Sequence, residues 1–260
     1  MRHWKNTFVL VMVLCLMLPT AAFAGDTPII TAYKADAPIT IDGSLDGWIL
    51  DSPIVIEDES QLIRDASFWQ GPTDLSCKVY VMWDEGNLYL AADVTEDTPF
   101  GAIEMLELDG QDNLKLYIST DPTADPERTT YDTNDFLVYF LMDNAYWDTA
   151  IDRSMVGMEV RGRFMSKGMD GGQNVLTGFE CAAQSTSTGF IWEAAIPWAN
   201  FSNDNIPVYV PQAGDQIKFN VAITDISYPC PGTQFIPQMA WTGDLRINTN
   251  PSLWGTLVFE

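Results

Sequence analysis

Histidine is almost missing from this chain: among 260 residues only His3 carries an imidazole. His3 sits in an N-terminal leader that is expected to be removed, so the remaining chain lacks the usual general base, the usual haem ligand and the commonest zinc ligand. Serine-histidine hydrolysis and histidine-ligated haem are thereby excluded. Positive charge is the second scarcity, with 13 Lys and Arg against 36 Asp and Glu. Arg2 and Lys5 belong to the leader, which leaves 11 cations against 36 acids and a net charge of −25. Such a field repels nucleic acid and anionic lipid and leaves neutral ligands, cations or basic partners. Cysteine is sparse too. Cys77, Cys181 and Cys230 lie beyond the leader, an odd number that allows one disulfide and one thiol. Of the three pairings Cys181 with Cys230 is favoured, because Cys77 shares a core face with Val79, Val81 and Trp83. No helical period persists beyond two turns, and no repeat or low-complexity linker divides the chain.

What is present starts with the leader. Arg2, His3 and Lys5 form a basic start, Phe8 to Leu18 is an apolar run, and Ala22-Phe23-Ala24 is a small-x-small cleavage signal. Residues 1–24 therefore read as a secretory signal peptide, too short in its apolar part to span a bilayer. Cys15 lacks the preceding Gly or Ala of a lipoprotein signal. The expected product begins near Gly25, is exported to the periplasm or outside the cell, and is not inserted in the membrane after cleavage. Residues 25–260 are enough for one β domain with a sizeable core.

The dominant signal in that domain has period two. Leu88, Leu90, Ala92 and Val94 share one face of a strand, and Phe190, Trp192, Ala194 and Ile196 share another. Asp84-Glu85-Gly86-Asn87 between two such runs marks a hairpin, with Gly86 and Asn87 able to take positive φ. Further strands are expected at 113–119, 135–142, 157–165, 175–182, 216–224 and 252–259. Many short strands separated by turn residues predict an all-β, two-sheet antiparallel β-sandwich of jelly-roll or immunoglobulin-like kind.

Five segments, all read as strands, occur in a fixed order: Ile39-Thr-Ile-Asp-Gly-Ser-Leu-Asp-Gly-Trp48, Val79 to Leu90, Gly189 to Trp198, Gly214 to Val221, and Pro251-Ser-Leu-Trp-Gly-Thr-Leu257. In that order they resemble the family 9 carbohydrate-binding modules, a branch of the DOMON-like β-sandwiches, over about residues 36–260. The resemblance implies a non-catalytic domain that binds oligo- or polysaccharide in polysaccharide recognition or degradation.

Sugar recognition needs flat aromatic faces for the C–H patches of a pyranose and planar polar side chains for its hydroxyls. Trp48, Trp83, Trp192, Trp198 and Trp254 read as core. Trp69, Trp147 and Trp241 lie in loop-like contexts, where a large aromatic is costly to leave exposed without a partner. Ligand-binding relatives sandwich the sugar between two loop aromatics, and neither matching loop, Leu108 to Gln111 or Arg246 to Pro251, holds one here. Lys115 also stands where those relatives have an acid. The stacking residues are therefore expected to be Trp69 and Trp147 with Phe100 third, and the polar contacts Asp97, Gln111, Arg246 and Asn248.

Oxygen-rich acidic loops suit calcium, which the resemblance implies as a structural ion, and Asp42, Asp46, Asp97 and Asp112 are its expected ligands. The same acids also fit a solvated rim. No carboxylate pair stands out for glycoside hydrolysis, so no enzyme is expected. Two alternatives stay open: a calcium-stabilised structural or protein-interaction domain that has lost the sugar site, and a DOMON-type haem domain for electron transfer using Met105, Met155, Met158 or Met239.

Overall fold

The computed structural model describes residues 27–97, 112–141, 161–166, 174–175, 178–202, 206–226 and 235–260. The leader, Phe100, Gln111, Trp147 and Cys230 lie outside them. Fourteen strands occur among the described residues: β1 (Ile29–Lys34), β2 (Ile54–Ile56), β3 (Leu62–Arg64), β4 (Leu75–Trp83), β5 (Asn87–Glu96), β6 (Asn113–Ser119), β7 (Asp135–Leu141), β8 (Arg161–Ser166), β9 (Asn174–Val175), β10 (Glu180–Ser185), β11 (Gly189–Pro197), β12 (Gln216–Thr224), β13 (Gln238–Ala240) and β14 (Gly255–Phe259). Helical structure among those residues is limited to single 3-10 turns.

The strands form the expected two sheets. Sheet A runs β1-β14-β12-β6-β7-β8-β9, with β13 beside the far end of β12 and β3 beyond it. Sheet B runs β10-β11-β5-β4, and β2 and the end of β1 both lie along the outer edge of β4. Every pairing is antiparallel except those of β1. Its first half, Ile29 to Ala32, runs parallel to β14, and Tyr33 and Lys34 run parallel to β4. One strand is thus shared by both sheets.

Alternation decides what each face buries. Val79, Val81 and Trp83 of β4, Leu88, Leu90 and Ala92 of β5, and Phe190, Trp192 and Ala194 of β11 face Leu116, Val138, Phe219, Val221 and Leu257 of sheet A in one continuous core. Each large aliphatic or aromatic side chain so buried contributes roughly 1.5–3 kcal/mol. Cys77 joins this core as expected, and burial pushes its thiol far above the usual range. Trp48, Trp83, Trp192, Trp198 and Trp254 are all buried.

Three local expectations need correction. The simplest is at 252–259, where Pro251–Leu253 is a 3-10 turn and the last strand begins only at Gly255. Ile39 to Trp48 is not a strand but a bent loop lying over the outer face of sheet B. The Asp42 and Ser44 side chains accept the backbone N–H two residues on, and Gly43 and Gly47 take φ of 88° and 85°, so local turns replace a ladder. At the Asp84–Asn87 turn neither Gly86 nor Asn87 takes a positive φ. Instead Asp84 Oδ1 accepts both of their N–H groups at 2.7 Å, which closes the turn through a side chain.

Candidate functional site

Three places gather the polar chemistry. The first is one end of the sandwich, where β5 ends, β6 begins and β12 ends. Alternation brings Glu96, the residue before β6 is Asp112, and the residue after β12 is Asp225. Their carboxylates are buried, with one oxygen from each lying within 4.8 Å of the others. Asp112 also accepts the Ile226 N–H at 2.8 Å, which ties the start of β6 to the end of β12. Beside them is a cavity of about 30 Å³ lined by Glu96, Asp112, Asn113, Thr224 and Trp192. Three buried carboxylates in one small volume repel one another and lose hydration, and a hard divalent cation with oxygen preference removes both costs. The donor set fits calcium.

Of the calcium ligands expected from sequence, only Asp112 belongs to this trio. Asp97 is the next residue after Glu96 and is exposed; burial raises the carboxyl of Asp74, against the Gln70 N–H, and Asp97 adds a smaller push. Asp42 and Asp46 lie in the loop over sheet B. Glu96 and Asp225 were missed. They are 129 positions apart in sequence, and what marks each is a carboxylate placed where a strand's apolar alternation stops.

The second place is the outer face of sheet B. Glu193, fully buried on β11, accepts the N–H groups of Asp42 and Gly43 on one oxygen and the Trp48 indole at 3.1 Å on the other. Burial raises its carboxyl above the ordinary value, against the pull of those three donors and with a small push from Asp42. Gly43 must be glycine for a second reason, since a Cβ would come within 2.8 Å of the Ala183 backbone.

The third place is the outer face of sheet A. Tyr117, Leu137, Tyr139 and Ala222 from the strands pack under Ile247 and Trp254, with Tyr131 against the Trp254 ring at 5.3 Å. Lys115 lies among them, 2% exposed, its ammonium 5.0 Å from the centre of the Tyr139 ring. Asn248 accepts the Tyr117 hydroxyl at 2.7 Å and so fastens the 3-10 turn Leu245–Asn248 to the sheet. Arg246 on that turn points outward, paired with Asp244 at 2.6 Å.

The expected ligand residues therefore divide. Arg246 and Asn248 sit over sheet A, whereas Asp97 lies at the carboxylate end. Trp69 is half buried against the core and donates its indole N–H to the Leu75 carbonyl at 2.9 Å, so it serves as a loop anchor. Trp241 also packs on the core, its ring over Gly255, where a Cβ would come within 2.1 Å of it. Met239 is wholly buried in the main core, which leaves no open axial position there for haem. Met105, Met155 and Met158 lie outside the described residues.

Comparisons with known proteins agree with this architecture. A search of curated protein sequences finds no match. Among solved structures, a family 9 carbohydrate-binding module from Caldicellulosiruptor kristjanssonii in complex with cellotriose has a similar fold, with a TM-score of 0.53 and 16% identity over 89% of this chain and 94% of that one. The structure with glucose, from the same organism, gives the same score and identity over 89% and 96%. The sequence profile of the carbohydrate family 9 binding domain-like family matches residues 41–260. That match covers nearly all of the described sandwich, and the chain belongs to this family of carbohydrate-binding domains.

Proposed function

We propose that this chain is an exported, non-catalytic domain that binds oligo- or polysaccharide, with a structural calcium ion at Glu96, Asp112 and Asp225. The family match over residues 41–260 is the observation that carries this reading. It is supported by the sugars held in the two structural neighbours and by the leader with its Ala22-Phe23-Ala24 cleavage signal. Trp147 and Phe100 are the proposed stacking residues, with Gln111 and the exposed Arg246 as polar contacts. Calcium supplies charge neutralisation that staples the end of β5 in sheet B to β6 and β12 in sheet A.

Affinity electrophoresis through gels containing xylan, soluble cellulose derivatives and other glycans tests the binding. Retention of the protein on at least one glycan is expected, and Trp147→Ala should abolish it with little change in melting temperature. Failure on every glycan would favour the alternative in which the fold survives as a calcium-stabilised structural or interaction domain. The ion is tested separately. At a hundredfold excess over its dissociation constant a ligand stabilises the native state by about 2.7 kcal/mol, so melting in millimolar calcium should exceed melting in chelator by several degrees. Equal melting, with no ion in elemental analysis, removes the calcium assignment.

A further inference from the structure

Lys218, on the outer face of β12, is only 8% exposed. Its ammonium donates to the carbonyls of Ser252 at 3.3 Å and Trp254 at 3.2 Å. An ammonium has three N–H groups, so one is left over. No carboxylate lies within ion-pair distance of it among the described residues. Arg128 nearby is engaged with Asp135 and with the Asp125 carbonyl, and Glu127 acts on the lysine only from the exposed surface. A buried charge without a counter-charge is costly, and the missing element is an anion.

The space beside Lys218 shows what kind. It is a cleft of about 190 Å³ bordered by Asp121, Pro122, Pro126, Gln216 and Thr256. That is too roomy for a lone inorganic anion and smaller than the ~300 Å³ at which drug-sized pockets begin. A single sugar residue suits it. The Gln216 amide and Thr256 hydroxyl are matched to sugar hydroxyls, the two prolines to ring C–H groups. Asp121 makes no ion pair with the lysine and turns one oxygen to its own loop, accepting the Thr123 N–H at 2.8 Å and hydroxyl at 2.6 Å. Lys115 shares the outer face of sheet A with Lys218, and Asp135 stands on the same face.

We propose that this cleft is a subsite for the carboxylate of a uronic-acid residue within the bound glycan. The inference rests on the carbohydrate-binding reading above and narrows it to acidic polysaccharide. The leftover Lys218 N–H donates to the carboxylate, and the sugar ring fills the cleft.

The test titrates the full chain with a defined oligogalacturonate, its methyl ester, a neutral xylo-oligosaccharide of equal length, and acetate, by calorimetry at low salt. The acid should bind at least tenfold more tightly than its ester, and the difference should shrink as salt is raised. Lys218→Met should erase the acid-over-ester preference and Lys218→Arg should retain it. The ester comparison on the unaltered protein stands even if the methionine variant fails to fold. Equal affinity for acid and ester, with neutral glycan still bound, overturns this inference alone. Absence of binding to every glycan overturns the carbohydrate reading with it. Acetate binding as tightly as the oligouronate means an adventitious ion only, and overturns the uronate assignment.

Discussion

The two outer faces of the sandwich are built alike and charged oppositely. On sheet B a loop folds down over Trp48, Tyr80, Met82 and Tyr89, and its polar hub is a carboxylate, Glu193, satisfied by three donors. On sheet A the segment from Trp241 to Trp254 folds over Tyr117 and Tyr139, and the hubs beneath it are ammonium groups. Both oxygens of Glu193 find donors within its own chain, whereas Lys218 still has an N–H to give. A carboxylate held by three donors of its own chain marks a structural clamp, and a buried ammonium with an N–H to spare marks a place for something else.

That contrast can be broken most sharply at Glu193. In Glu193→Ala the Asp42 and Gly43 amides and the Trp48 indole lose their acceptor, and unsatisfied buried donors cost about 1–3 kcal/mol each. Taking the low end because the loop can lift into water, the loss is about 3 kcal/mol, or roughly 6–12 °C of melting temperature for a domain of this size. Scanning calorimetry checks it, and glycan retention should survive; a shift below 2 °C would mean the loop is held by packing alone. A second lesion lies in the core between the sheets, at Gly255→Ala, whose new methyl collides with the Trp241 ring. Overpacking of this kind costs roughly 1–3 kcal/mol, so denaturant unfolding should show a smaller loss, and unchanged stability would show that the Trp241 ring moves freely. Trp69→Ala, which removes a loop anchor, is expected to destabilise in the same range without touching sugar binding, in contrast to Trp147→Ala.

The smallest effect is a pH dependence. Burial raises the Glu193 carboxyl above its ordinary value of 4.5, so the folded chain holds that proton more tightly than the unfolded one. The sign follows from linkage: the folded state binds more protons in the interval between 4.5 and the raised folded value, and stability from this group falls as pH rises through that interval. Glu193→Gln removes the titration and keeps an acceptor for the Asp42 and Gly43 amides. The difference in stability between the two proteins should therefore shift in favour of the variant as pH climbs above 4.5, and a pH-independent difference would show that the raised value has no thermodynamic weight.

Strands with clean alternation were legible in the sequence to within a residue or two. β6 and β12 match the expected spans, and β7 and β11 miss only at the ends, because a face that meets a core imposes period two on the chain. Shorter strands were not legible. Ile54-Val-Ile56 and Gln238-Met-Ala240 pair at the ends of longer strands, where three residues leave no period to detect. Ile39 to Trp48 shows the reverse error, since its apolar residues alternate while covering a sheet from outside. At the site level, acidic richness after β5 and before β6 was visible, but convergence with Asp225 depends on how β12 lies beside β6. Lys115 was noticed only as a departure from relatives. The role argued for Lys218 needed its carbonyl partners and burial, neither of which a sequence states.

The shared strand β1 has a temporal side. Ile29 finds its partner at Thr256, 227 positions later, so sheet A gains its edge only when the other end of the chain is at hand. Contacts so far apart make folding slow, since a long loop must close before the pairing rewards it. Until then β1 can rest only its last two residues on β4. Completion of β1 as a strand shared by both sheets and arrival of β14 are one event, and a chain cut short before β14 should lose that shared edge.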